Sequence, residues 1–217
     1  MSDCAPVPIP RWQWRTFAED LSWLFRPLSA REGGAFRHRE ETHLICDHRS
    51  HHAWIADGVL ELAWRKELSP EGFELWDCVL RDRWPLRPAS RVRLLAAWGV
   101  ADPAAAPDAG QAGDPLADLL AGIASVRPLR VLSRSRSLAF QGVACSLETL
   151  VIEATTRVQS FAIEHEDPAL LRQVLAELGL EGAANTSFLQ GLRGALGLQL
   201  TDPGSRPWAR KSNASTS

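Results

Sequence analysis

Three stretches between residues 129 and 166 decide the fold: LRVLSRSRSLAF (Leu129–Phe140), VACSLETLVIEA (Val143–Ala154) and VQSFAIEHE (Val158–Glu166). Polar and apolar residues alternate along each, which is the period of an extended strand with one face buried. Gln141-Gly142 joins the first two as a tight turn. Strands joined by tight turns pair antiparallel, so the chain does not read as βαβ winding. Their length, with polar residues kept on one face, suggests a curved sheet or an open barrel.

Working outward, the third strand ends at Asp167-Pro168, and Pro168 starts a helix. Leu170, Leu171, Val174, Leu175 and Leu178 share one face of that helix, and Gly179 caps it. A last short helix is expected over Ser187–Leu196. Upstream, RWQWRTF (Arg11–Phe17) alternates as a first strand and residues 18–30 form a helix. Strands follow at Glu40–Asp47 and in a hairpin, His52–Ala56 and Val59–Trp64, turned by Asp57-Gly58. Phe73–Leu80 reads as a strand or short helix, residues 84–98 lead into a helix, and residues 116–123 form another. The fold class is α+β. A single domain spans residues 1–202, with a mobile Ala/Pro/Gly/Asp loop over 101–114 and a disordered polar tail over 203–217.

Composition narrows the function. The 217 residues carry a net charge of −2 at pH 7, which gives no global attraction to nucleic acid or to an anionic membrane. No apolar run reaches the roughly 18 residues of a membrane span, and the N-terminus lacks the pattern of a signal peptide. Cys4, Cys46, Cys78 and Cys145 form no CxxC pair. The expected compartment is the cytoplasm, with reduced thiols. The sequence does not set the oligomeric state.

The candidate chemistry lies in the same second half. Arg134 and Arg136 share a strand face, and so do Glu164 and Glu166. Glu148 lies on the strand between them. Arginine forks match phosphate oxygens, and grouped carboxylates hold Mg²⁺ or Mn²⁺. Cross-strand ion pairs on solvated faces are the commoner meaning of such spacing. His43, His48, His51 and His52, with Cys46, match no standard zinc spacing and read as a solvent-facing turn. The nine tryptophans read as packing before stacking platforms. There is no G-x-S-x-G and no phosphate-binding glycine loop.

The stretch Ser160-Phe-Ala-Ile-Glu-His-Glu-Asp-Pro168, with the helix ending Ala176-Glu-Leu-Gly-Leu180, resembles the C-terminal element of the CYTH or triphosphate tunnel metalloenzyme superfamily. Asn185-Thr-Ser-Phe-Leu189 resembles its short terminal helix. The Arg134/Arg136 and Gly142–Glu148 strands resemble its arginine-bearing and acidic strands. The WQWRTF opening looks most like a divergent bacterial branch. The resemblance implies an antiparallel barrel-like tunnel with flanking helices, and metal-dependent binding or hydrolysis of a triphosphate or polyphosphate. It implies phosphate binding by Arg15, Arg134 and Arg136, and a divalent metal on Glu148, Glu164 and Glu166.

Where the family has ExExK on its first strand, this chain reads Arg11-Trp-Gln-Trp-Arg15, without a carboxylate. Ala63 stands where a tunnel lysine is expected. The resulting expectation is a degenerate tunnel that binds a small phosphate-bearing anion, with weak or no phosphohydrolase activity. The alternative is a scaffold that kept the fold without the chemistry. The test is whether Arg134, Arg136, Glu164 and Glu166 share a polar cavity or an apolar plug fills the barrel.

Overall fold

The alternating segments close on themselves. A computed structural model describes residues 9–29, 34–46, 50–100, 114–121, 123 and 125–198. The loop expected over 101–114 falls outside these except for Asp114, and so does the whole tail expected over 203–217.

Eight strands form a closed barrel: β1 (Arg11–Ala18), β2 (Arg37–Cys46), β3 (His51–Ala56), β4 (Val59–Leu68), β5 (Glu74–Arg83), β6 (Val126–Phe140), β7 (Val143–Ile152) and β8 (Thr156–His165). The order around the barrel is β1-β5-β4-β3-β2-β6-β7-β8, and every recorded pairing is antiparallel. Of residues 73–80, left open between strand and helix by their pattern, all but Phe73 belong to β5. The two predicted hairpin turns are present, with Asp57, Gly58, Gln141 and Gly142 all at positive φ.

Period-2 alternation gives every strand an inner and an outer face. Helices α1 (Ser22–Ser29) and α4 (Pro168–Glu177) cover the outer face of β6, β7, β8 and β1. There Trp14, Leu147, Phe161 and Ile163 pack against Leu24, Leu28, Leu171 and Val174. Helices α2 (Pro88–Ala97) and α3 (Pro115–Leu120) cover the outer face of β2 to β5 through Leu94, Leu95 and Leu119. No helix among the described residues is long and apolar enough to cross a membrane.

The inner face is split in two. Phe17, Ile45, Leu129, Val131, Leu150, Ile152 and Val158 face the barrel axis at one end, and α5 (Phe188–Ala195) stops that end with Leu189 and Leu192. The entry of α5 is built from short polar links. Arg15 donates its backbone N–H to Asn185 Oδ1 at 2.7 Å, and its carbonyl accepts from the Thr186 N–H at 2.8 Å. Asn185 also donates to the Gly72 carbonyl at 2.8 Å. Ser187 and Gln190 then form a reciprocal capping box that starts the helix.

Candidate functional site: a polar cavity above an apolar plug

Above the plug the barrel holds a cavity of about 730 Å³, within the range of small-molecule sites. Its floor is Phe188 and Leu189. Its walls carry Arg11, Gln13 and Arg15 from β1, Arg39, Glu41 and His43 from β2, His52 and Trp54 from β3, and Ala63 from β4. Trp76, Asp77 and Cys78 of β5, Glu148 of β7, Glu164 of β8 and Ile9, just before β1, complete them. The interior is therefore neither the fully polar channel nor the full apolar plug posed above. It has one half of each.

Arg15 is the deep charge. Its side chain is only 8% exposed and pairs with Glu148, Nη1 to Oε2, at 2.5 Å. The same Nη1 donates to Ser160 Oγ at 2.7 Å. Among the described residues both of its side-chain hydrogen bonds leave from Nη1, and Nε is buried without a partner. The guanidinium carbon lies 4.9 Å from the centre of the Phe188 ring. One edge of the fork is thus spent on the wall and the other is unspent.

Across from Arg15 stands a chain of polar contacts. Arg39 Nη1 lies 3.3 Å from Glu41 Oε1, and Glu41 Oε2 lies 3.1 Å from His43 Nε2. His43 Nδ1 lies 2.9 Å from His52 Nε2. The two imidazole rings lie nearly parallel with their centres 5.1 Å apart, and both lie against Phe188. Burial pushes the Glu41 carboxyl pKa up, but the hydrogen bond from His43 and the charge of Arg39 outweigh it, so the net shift is downward. The His52 imidazole is held well below its usual range, first by burial and then by its electrostatic interactions with His43 and Arg15.

Three of the expected site residues meet in this cavity: Arg15, Glu148 and Glu164. The other three do not line it, and the reason is register. Ser135 of β6 stands opposite Glu148 of β7, so Ser135 faces in; Arg134 and Arg136 stand opposite Thr149 and Leu147 and face out. Arg134 stacks on Phe36 with 4.0 Å between the guanidinium carbon and the ring centre, and Arg136 donates to the Gly34 carbonyl. Glu166 lies past the end of β8 and is exposed.

The expected metal set does not fit. Glu166 is outside, and Glu148 is held by Arg15. Ser160, not Glu164, stands opposite Glu148, which puts Glu164 four residues further along β8, roughly 13 Å at the rise of a strand. Among the described residues no three His, Cys, Asp or Glu side chains gather as a metal site.

No protein-family model matches the sequence, and no curated protein matches it. Solved structures do. A Hippeastrum protein described as having a dominant triphosphatase activity superposes with a TM-score of 0.52 at 15% identity, over 89% of this chain and 98% of its own. The chain has the CYTH-like tunnel fold. A Bacillus halodurans protein assigned by name to the adenylate cyclases gives a TM-score of 0.46 at 9% identity, over 84% and 98% of the two chains. An RNA triphosphatase of S. pombe gives 0.32 at 12%, over 88% and 83%.

Within this CYTH-like tunnel, the sequence does not single out Arg11, Arg39, Glu41 or Asp77, and it offers His43 and His52 only as members of a histidine-rich cluster. One signal was available for β2. Arg39, Glu41 and His43 are two apart and share the face that Ile45 continues into the plug. The histidine-rich segment taken for a solvent-facing turn instead places His43 and His52 on paired strands, facing inward.

Proposed function

We propose that the tunnel binds a compact phosphate-bearing anion, with Arg15 as its deep anchor. The observation that carries this is the Arg15 guanidinium in the wall of a polar cavity, with no partner among the described residues on its Nε edge. A phosphate offers the paired oxygens that such an edge matches. Arg39 and Arg11 are both exposed, and both stand further out along the same walls, where a chain of phosphates would continue. The described triphosphatase activity of the Hippeastrum protein accords with this reading.

The cavity is not a simple basic funnel. Arg11, Arg15 and Arg39 face Glu41, Asp77, Glu148 and Glu164. A polyanion enters such a lining with its own counter-ion, and Mg²⁺ or Mn²⁺ is the form in which triphosphates carry one. Glu164, whose partner is the neutral amide of Gln13, is the wall carboxylate best placed to meet it.

Calorimetric titration of inorganic tripolyphosphate, with equimolar Mg²⁺, tests the reading. Arg39→Ala and Arg11→Ala each weaken binding about tenfold, as a lost charge-assisted hydrogen bond does. Arg134→Ala, on the outer wall, leaves affinity unchanged. Absence of binding by the wild type supports the scaffold alternative instead.

A further inference from the structure

We propose that Glu41, His43 and His52 form a proton relay that makes His52 the general base for hydrolysis of a phosphoanhydride held at Arg15. This rests on the phosphate-binding reading above and supplies it with a reaction that needs no carboxylate on β1.

With His43 neutral, the hydrogen-bond order sets the tautomers. Glu41, ionised, accepts from His43 Nε2–H. His43 Nδ1 then carries a lone pair and accepts from His52 Nε2–H. His52 Nδ1 is left as the free base, and it has no hydrogen-bond partner among the described residues. This is the logic by which a carboxylate orients one imidazole for catalysis, extended by a second ring. His43 and His52 both line the cavity, with His43 the buried one of the two, so the relay lies within the cavity wall. Arg15 and His52 both lie against the Phe188 ring, which places the phosphate anchor beside the base. The depressed basicity of His52 keeps it unprotonated near neutral pH.

In the step, a water oxygen forms a bond to the terminal phosphorus as the bridging P–O bond breaks. The electron pair of that bond leaves on the departing phosphate oxygen. The water proton passes to His52 Nδ1, and the Nε2 proton shifts to His43 Nδ1, drawn by the Glu41 charge. Water is the only co-reactant. His43 and Glu41 are positioning residues and His52 is the catalytic one.

The full chain is assayed with tripolyphosphate and Mg²⁺ for binding by calorimetry and for phosphate release. His52→Ala is expected to lower kcat about 100-fold, the lower end for general-base loss, while affinity changes little. Added imidazole restores phosphate release to His52→Ala, which a merely structural role would not allow. Glu41→Gln lowers kcat with KM unchanged. A wild type that fails to bind tripolyphosphate overturns the binding reading and the relay together. Binding without hydrolysis, a His52→Ala rate equal to wild type, or a lost rate that imidazole does not restore overturns the relay alone. If His52→Ala does not fold, Glu41→Gln decides, and an unchanged kcat in that variant overturns the relay.

Discussion

Gln13 Nε2 donates to Glu164 Oε1 at 2.5 Å, across directly paired positions of β1 and β8. The amide occupies an inward position of β1 and faces Glu164 across the strand pair. A neutral donor satisfies Glu164 without an ion; a second carboxylate would instead demand one. Gln13→Glu is therefore expected to lower stability by about 1 kcal/mol at pH 8 without divalent cations, as like charges directly opposite do. Mn²⁺ should then raise the melting temperature of the variant and leave wild type unchanged. Melts of both proteins with and without Mn²⁺ check this, and an identical Mn²⁺ response would count against it.

Arg15 serves structure as well as ligand. Its partner Glu148 is 16% exposed and also accepts from Ser146 Oγ at 3.1 Å. Removing the guanidinium strands that carboxylate, and breaking a buried pair costs about 3–5 kcal/mol. Arg15→Met should show a loss of that size in urea unfolding. Arg15→Met combined with Glu148→Leu should recover most of it, because no charge is then left unpaired.

How much of this was legible in the sequence depends on what set each feature. The strands from Val126 to His165 and the helix after Pro168 follow from alternation, turn residues and a proline start, all local signals. The faces were harder. Spacing put Arg134 and Arg136 on one face but could not say which; their register against Thr149 and Leu147 turns them outward. Local pattern is also blind to irregular pairing. Leu62 stands opposite Leu80 but Ala63 stands opposite Cys78, so Val79 of β5 is skipped, and Val79 and Leu80 both pack outward while Cys78 lines the cavity. His43 and His52 meet only because β2 and β3 pair, with His43 opposite Trp54. A cluster read along the chain looked like a turn, and read across the barrel it is a wall.

The depressed basicity of His52 has a stability consequence. In the folded chain the proton is bound more weakly than at the ordinary value of 6.5, so below that pH the unfolded state binds more protons. Stability is then fully present above about pH 6.5 and falls as pH drops toward the folded value. Chemical denaturation between pH 7.5 and 5.5 should show this decline, and His52→Gln should flatten it. The window matters because the Glu41 carboxyl, held below its usual 4.5, contributes its own loss only in more acidic solution. Equal slopes for the two proteins would refute the assignment.

The plug has its own point of sensitivity. Gly191 lies on the buried face of α5, and a methyl group built on it would land on the Phe17 ring inside van der Waals contact. That ring is 4% exposed and packs edge-on against Phe188 at 6.0 Å, so it has no solvent to swing into. Alanine is worth up to about 1 kcal/mol over glycine inside a helix, but overpacking a core costs about 1–3 kcal/mol, so the clash wins. Gly191→Ala is expected to be destabilising overall. Because Phe188 is the floor beneath Arg15 and His52, lifting α5 should also weaken tripolyphosphate binding. Phe17→Leu in the same chain makes room for the methyl, and the pair should be more stable than Gly191→Ala alone. Thermal melts of the two single variants and the double variant measure that coupling. Strict additivity would show that Phe17 is not what the glycine accommodates.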